Sequence, residues 1–175
     1  MGEVAFKTSW GGSERTLAPA KKVFHRDFAI SSLSRLKVTE TVQTEDWYSI
    51  EIDRFAEETG MLSVLEYGKH IPFAVKRVFW VGNVPSNSIA RGGHAHAELK
   101  QVIFCSNGSC NIDLENVSGA KETILLADTG SALYVNGPVW RTMRDFSSDC
   151  SMIVLCDREY HLDQVIRDYQ KFRSL

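Results

Sequence analysis

From residue 47 onward the chain is a succession of short, β-rich segments, each too brief for an ordinary helix and each closed by turn-forming residues. Strands are predicted over residues 48–52, 62–66, 74–81, 100–106, 109–115, 122–127, 132–135, 141–146 and 150–155. Gly60, Gly68, Asn83 with Pro85, Asn107-Gly108 and the stretches 116–119, 128–130 and 147–149 punctuate them. Many short strands at this spacing predict two packed sheets or a closed barrel. Asn107-Gly108, between VIFCS and SCNIDLE, is the strongest local signal for a two-residue hairpin of type I′. A helical period occurs in one place, where Leu162, Val165, Ile166, Tyr169 and Phe172 share a face, and predicts a C-terminal helix over 162–172. Residues 1–45 sustain neither period. They read as an N-terminal extension packed on the domain or on a second subunit, with residues 46–175 as the folded domain.

Bulk properties narrow the function classes. A chain of 175 residues suffices for one hydrophobic core and one such domain. Lysine and arginine total 20 against 22 acidic residues, a net charge of -2 that argues against nucleic acid as a partner. The apolar runs fall far short of a membrane span. Glu3, Lys7, Glu14 and Arg15 interrupt any secretory leader, so a cytoplasmic protein is expected. Cys105, Cys110, Cys150 and Cys156 form no C-x-x-C pair and lie in or beside strand-like segments, which predicts buried free thiols in a reducing compartment.

The chemistry concentrates in RGGHAHAELKQ, residues 91–101. His94 and His96 are two apart on a strand and project to one face, as a pair of imidazoles suited to proton transfer near neutral pH. The spacing is similar to the metal-binding cupin pattern G-x5-H-x-H-x4-E-x6-G. Here Gln101 stands at the carboxylate position, and Arg141 in PVWRTM stands where a third histidine is expected. A guanidinium has no lone pair to give and an amide oxygen is a weak ligand, so no metal and no other cofactor is expected. Arg91 could grip a phosphate or make a surface ion pair. Tyr134 could point its hydroxyl into the pocket or pack in the sheet. Phe79, Trp80 and Trp140 could stack on a base or sugar or serve as barrel aromatics.

KHIPFAVKRVFWV, RGGHAHAELKQVIFCSNGSCNIDLE, LYVNGPVWRTMRDFSSDCSMIVL and Y-x-x-D-x-V-I-R-D-Y-x-x-F together resemble the sugar-nucleotide 3,4-ketoisomerase family, also described as WxcM-like, across residues 48–172. The resemblance implies an all-β, cupin-type double-stranded β-helix, a jelly-roll barrel with a C-terminal helix. It implies a homodimer with exchanged strands that acts on dTDP-4-keto-6-deoxyglucose in making deoxyamino sugars for surface glycans, lipopolysaccharide among them, without a metal. It makes His96 the candidate base and His94 the relay or positioning residue, the two roles being interchangeable. It adds Tyr134 as a third catalytic residue, sets Arg91 on the pyrophosphate, and leaves Gln101, Phe79, Trp80, Trp140 and Arg141 as substrate contacts. The chain departs from the family where tyrosines are usual at Phe79-Trp80 and where a tryptophan-histidine pair is Trp140-Arg141. The other reading is a non-catalytic cupin module that binds a nucleotide-sugar.

Overall fold

The computed structural model describes residues 46–85, 90–127, 130–160 and 165–175, so the extension expected over 1–45 lies outside the described residues. The strands are β1 (Trp47–Glu51), β2 (Asp53–Glu57), β3 (Gly60–Val64), β4 (Arg77–Val81), β5 (Arg91–His96), β6 (Lys100–Asn107), β7 (Ser109–Asn116), β8 (Lys121–Ala127), β9 (Ser131–Asn136), β10 (Val139–Arg144), β11 (Ser151–Cys156) and β12 (Val165–Ile166), followed by the helix α1 (Tyr169–Arg173). One five-stranded antiparallel sheet has the order β1-β9-β6-β11-β4, and a second has β12-β5-β10-β7-β8. The β2–β3 hairpin stands as a separate two-stranded sheet. This is the all-β jelly roll expected of the sequence.

Alternation along each strand decides what fills the barrel. In β7, Cys110, Ile112 and Leu114 are fully buried between the sheets, while Asn111, Asp113 and Glu115 face outward. Ile103 on β6, Leu133 on β9 and Val154 on β11 meet them from the other sheet. Each large side chain buried in this way stabilises the fold by roughly 1.5–3 kcal/mol. The outer face of the first sheet carries its own apolar cluster, in which Val102, Ala132 and Tyr134 are covered by Ile71 and Phe73. Ala95, Ile166 and Phe172 form a third cluster under α1.

Two local expectations are corrected. The Asn107-Gly108 turn closes no hairpin, because β6 pairs with β9 and β11 while β7 pairs with β8 and β10. A type I′ turn needs positive φ at both residues, and here Gly108 has φ 62 while Asn107 is not among the positive-φ residues. The chain uses the turn to cross from one sheet to the other, so that Cys105 and Cys110 both face the shared core. The loop 147–149 holds it there: Ser109 N donates to Ser147 Oγ at 2.8 Å, and Asn107 Nδ2 donates to the Asp149 carbonyl at 3.0 Å.

The terminal helix is shorter than its apolar period suggested. Val165–Ile166 are extended and pair with Ala95 and His96 on the edge of β5, because a sheet edge offers partners that an isolated helix lacks. Asp168 then starts α1, its carboxylate accepting from Gln170 N and Lys171 N. β2 carries no strong alternation, and its one large apolar residue, Phe55, is 53% exposed.

A prediction follows from the crossover. A Cβ on Gly108 would lie 2.7 Å from Asp149 Oδ1 and 2.8 Å from Cys150 Cα, besides forcing a side chain onto φ 62. Gly108→Ala is expected to cost about 1–3 kcal/mol in chemical denaturation. Gly137→Ala, at φ 71 with nothing within 4 Å of its Cβ, should cost less. Equal midpoints for the two variants would refute the role assigned to Gly108.

Candidate active site

Strands from both sheets open onto one cavity of about 440 Å³, into which Arg77 and Phe79 of β4, Arg91, His94 and His96 of β5, Gln101 of β6 and Arg141 of β10 project. Its local geometry begins with two glycines. Arg91 and His94 are three apart, so strict alternation would send them to opposite faces. Instead Arg141 pairs with His94 and Thr142 with Gly92, leaving Gly93 unpaired as a bulge. Gly92 at φ 87 and Gly93 at φ 63 permit it, and a Cβ on Gly92 would sit 2.7 Å from the Arg141 carbonyl. The extra residue turns Arg91 onto the histidine side of the strand.

At the floor of the cavity Arg141 is 2% exposed. Its Nη1 donates to Gln101 Oε1, a bond between the two sheets, and Gln101 Nε2 lies 3.5 Å from Cys156 Sγ. Nε and Nη2 of Arg141 have no partner among the described residues. Burial lowers its pKa to about 10, which leaves it a cation at neutral pH. The His94 and His96 rings meet edge to face, with centroids 5.0 Å apart. Burial first, then the nearby Arg141 cation, lowers the pKa of His96 to about 3, and the same two causes lower that of His94. Both imidazoles are therefore neutral at pH 7 and available as proton acceptors. A divalent metal here would face a guanidinium where a ligand is needed.

Of the residues expected in the site, the cavity brings together His94, His96, Arg91, Gln101, Phe79 and Arg141. It does not include the other three. Trp80 follows Phe79 and so points to the opposite face of β4, where it is 74% exposed. Trp140 precedes Arg141 and for the same reason faces outward, packed on Tyr169 at 5.2 Å and Phe172 at 5.6 Å under α1. Tyr134 lies on the outer face of the first sheet, stacked on Tyr48 at 4.6 Å and against Phe73, and is a packing residue within this chain.

Three charged or hydroxyl-bearing lining residues escaped the sequence reading: Arg77, Tyr160 and Arg167. The Arg77 guanidinium lies over the rings of Phe79 and Tyr160, at 5.6 and 5.3 Å from their centroids. Arg77 was open to detection, since it is two residues before Phe79 on one strand. Tyr160 and Arg167 stand in the Y-x-x-D-x-V-I-R segment, whose fold back onto β5 no local period announces. Four arginines thus ring two neutral histidines, and no carboxylate lines the cavity among the described residues.

A family model described as FdtA: WxcM-like, C-terminal matches residues 45–175. The chain is 39% identical over 125 residues to the TDP-4-oxo-6-deoxy-alpha-D-glucose-3,4-oxoisomerase of Aneurinibacillus thermoaerophilus, covering 71% of this chain and 88% of that protein. The crystal structure of QdtA, a sugar 3,4-ketoisomerase from Thermoanaerobacterium thermosaccharolyticum in complex with TDP, superposes with a TM-score of 0.71 at 33% identity, over 75% of this chain and 95% of QdtA. A 3,4-ketoisomerase from Helicobacter canadensis gives 0.69 at 34% identity, over 74% and 96% of the two chains.

The lowered histidine pKa values set a pH dependence. Below about pH 6.5 the unfolded chain binds a proton at His96 that the native cavity, with its pKa of about 3, refuses, so stability falls as pH drops through that window and is level above it. From pH 6.5 to 4.5 the expected loss from His96 is roughly 2–3 kcal/mol. Urea unfolding of wild type and His96→Gln across this range checks it. The variant should show the shallower decline, and parallel curves would contradict the assignment.

Proposed function

The chain belongs to the FdtA, WxcM-like family, and on that footing we propose that it moves a keto group between carbons 4 and 3 of a dTDP-linked 4-keto-6-deoxyhexose by histidine acid–base catalysis. The observation that carries this reading is a cavity in which two uncharged imidazoles sit among Arg77, Arg91, Arg141 and Arg167 with no lining carboxylate among the described residues. Such a cavity suits a ligand with a diphosphate at one end and a proton to be moved at the other. Arg91, exposed at the cavity's edge, is assigned to the diphosphate.

The chemistry needs one base and one relay. The ketone at carbon 4 acidifies the hydrogen on carbon 3, and His96 takes that proton. The C–H electron pair becomes the C3=C4 double bond, and the ketone oxygen becomes an enolate that picks up a proton. Loss of the proton from the carbon 3 oxygen then forms the new ketone as carbon 4 is reprotonated. His94 shuttles the proton between the two oxygens. Negative charge developing on oxygen is favoured by the buried Arg141 cation, whose Nε and Nη2 are not committed to protein partners among the described residues. The diphosphate also raises the basicity of His96 on binding, because an added anion favours the imidazolium. A 3-keto product is suited to amination, which supports assigning the reaction to deoxyamino-sugar synthesis. The buried cysteines are free thiols, as a reducing cytoplasm keeps them.

The assembly proposed is a homodimer with exchanged strands. Phe55, Met61 and Leu62 of the β2–β3 hairpin are each more than half exposed, as are Val78 and Trp80 on the edge strand β4. Apolar side chains concentrated on a hairpin and a sheet edge are the surfaces such an exchange would cover. Light scattering should return twice the chain mass at micromolar concentration. A monomeric mass would remove this part of the proposal.

His96→Asn is expected to keep affinity for the dTDP-sugar while lowering turnover about 100-fold or more, the range for loss of a general base. His94→Asn should slow turnover less, and Arg91→Ala should weaken binding. Deuterium exchange at sugar carbons 3 and 4, followed by NMR, is the direct measurement. Exchange that persists in both histidine variants would overturn the mechanism. Tight binding with no exchange in wild type would establish the non-catalytic module instead.

A further inference from the structure

At the end of the barrel away from the histidines, three thiols meet in the core. Cys105 ends the buried part of β6, about 13 Å along the strand from Gln101 at some 3.3 Å per residue. Cys110 is the second residue of β7, beyond the crossover, and Cys150 immediately precedes β11. The three are 4%, 0% and 4% exposed. All three sulfurs lie within 4.8 Å of one another, with Cys105 and Cys150 at 3.8 Å. Leu126, Ile112 and Met152 belong to the same apolar cluster. The fourth cysteine, Cys156, is apart, fully buried against Gln101 and Arg77, two residues that line the histidine cavity.

We propose that Cys105, Cys110 and Cys150 form a binding site for a trivalent thiophilic metalloid, of which arsenite is the representative. Charge selects this class. Three thiolates around a monovalent or divalent metal would leave net negative charge in an apolar core, at high cost, and tetrahedral zinc would need a fourth ligand that this group does not include. Two of these thiols resist ionisation: the contact with Cys110 and then burial push the Cys105 thiol up, and burial pushes Cys150 up to about 12. Trivalent arsenic with three thiolates is neutral. The exchange is a condensation, As(OH)3 + 3 RSH → As(SR)3 + 3 H2O. Three As–O bonds break, three As–S bonds form, each thiol proton leaves in a water molecule, and nothing is oxidised or reduced. The sulfur triangle is already assembled by the crossover at Gly108 and the loop anchored at Ser147, so little rearrangement is required.

The test uses the full-length protein, reduced and freed of added thiol, then titrated with sodium arsenite. Native mass spectrometry should find one arsenic per chain, and X-ray absorption should show an all-sulfur shell of three. Tm should rise with arsenite concentration. Cys110→Val, which keeps an apolar side chain of similar size, and Cys150→Ala should each lower affinity at least tenfold, while Cys156→Ala should bind as wild type does. Entry should quicken in dilute denaturant, because the thiols are buried. Undiminished binding in Cys110→Val or Cys150→Ala, oxygen in the arsenic shell, or no binding to the native protein would each overturn the proposal. Comparison of the unliganded melting curves separates loss of the site from loss of the fold.

Discussion

A guanidinium buried between two sheets is the interaction on which the site depends. Arg141 leaves β10 in the second sheet and is held by the amide of Gln101 on β6 in the first, so one hydrogen bond fixes the separation of the sheets at the cavity floor. Taking a cation out of water is costly unless its donors find partners. Here one does and two face the interior without protein partners among the described residues, so the fold retains hydrogen-bonding capacity beside the histidines. The same charge adds to the larger effect of burial in keeping His94 and His96 neutral. One buried cation therefore links the two sheets, helps burial keep both imidazoles neutral and leaves two nitrogens without a protein partner among the described residues.

The surrounding field extends this arrangement. A net charge of -2 describes the whole chain and hides the distribution, because among the described residues no carboxylate lines the cavity while four arginines converge on it. Asp113 pairs with Arg144, and Glu115 with Lys121, on the outside of the second sheet. A concave site with one sign of charge and low-dielectric walls concentrates an anionic ligand. Burial that lowers the histidine pKa values also makes them sensitive to any anion placed beside them.

Parity along the strands accounts for most of the agreement and disagreement between sequence and structure. His94 and His96 share a face because they are two apart. Phe79-Trp80 and Trp140-Arg141 are adjacent, so each pair could give the cavity only one member, and the structure chose Phe79 and Arg141. That exclusivity was legible from spacing alone, whereas the choice of member was not, since it depends on which face of each strand the opposite sheet covers. Tyr134 shows the same limit. Its alternation with Ala132 was correct, but their common face turned out to be the outer one, under Ile71 and Phe73. Arg91 broke parity through the Gly92-Gly93 bulge, which spacing cannot reveal.

The amino-acid sequence by itself determined that the chain is a β protein of many short strands, that two imidazoles project together, that the cysteines are buried, and which family supplies the pattern. These are local properties, set by side-chain alternation, turn chemistry and motif order. Only the tertiary structure decided that Asn107-Gly108 crosses between sheets instead of closing a hairpin, that Val165-Ile166 pairs with β5 before the helix begins, and that Arg77, Tyr160 and Arg167 reach the cavity. Each of those outcomes depends on partners distant in sequence. A turn, a short β-branched pair or a lone arginine has several locally acceptable uses, and the one adopted is the one that buries the shared core and pairs the sheet edges.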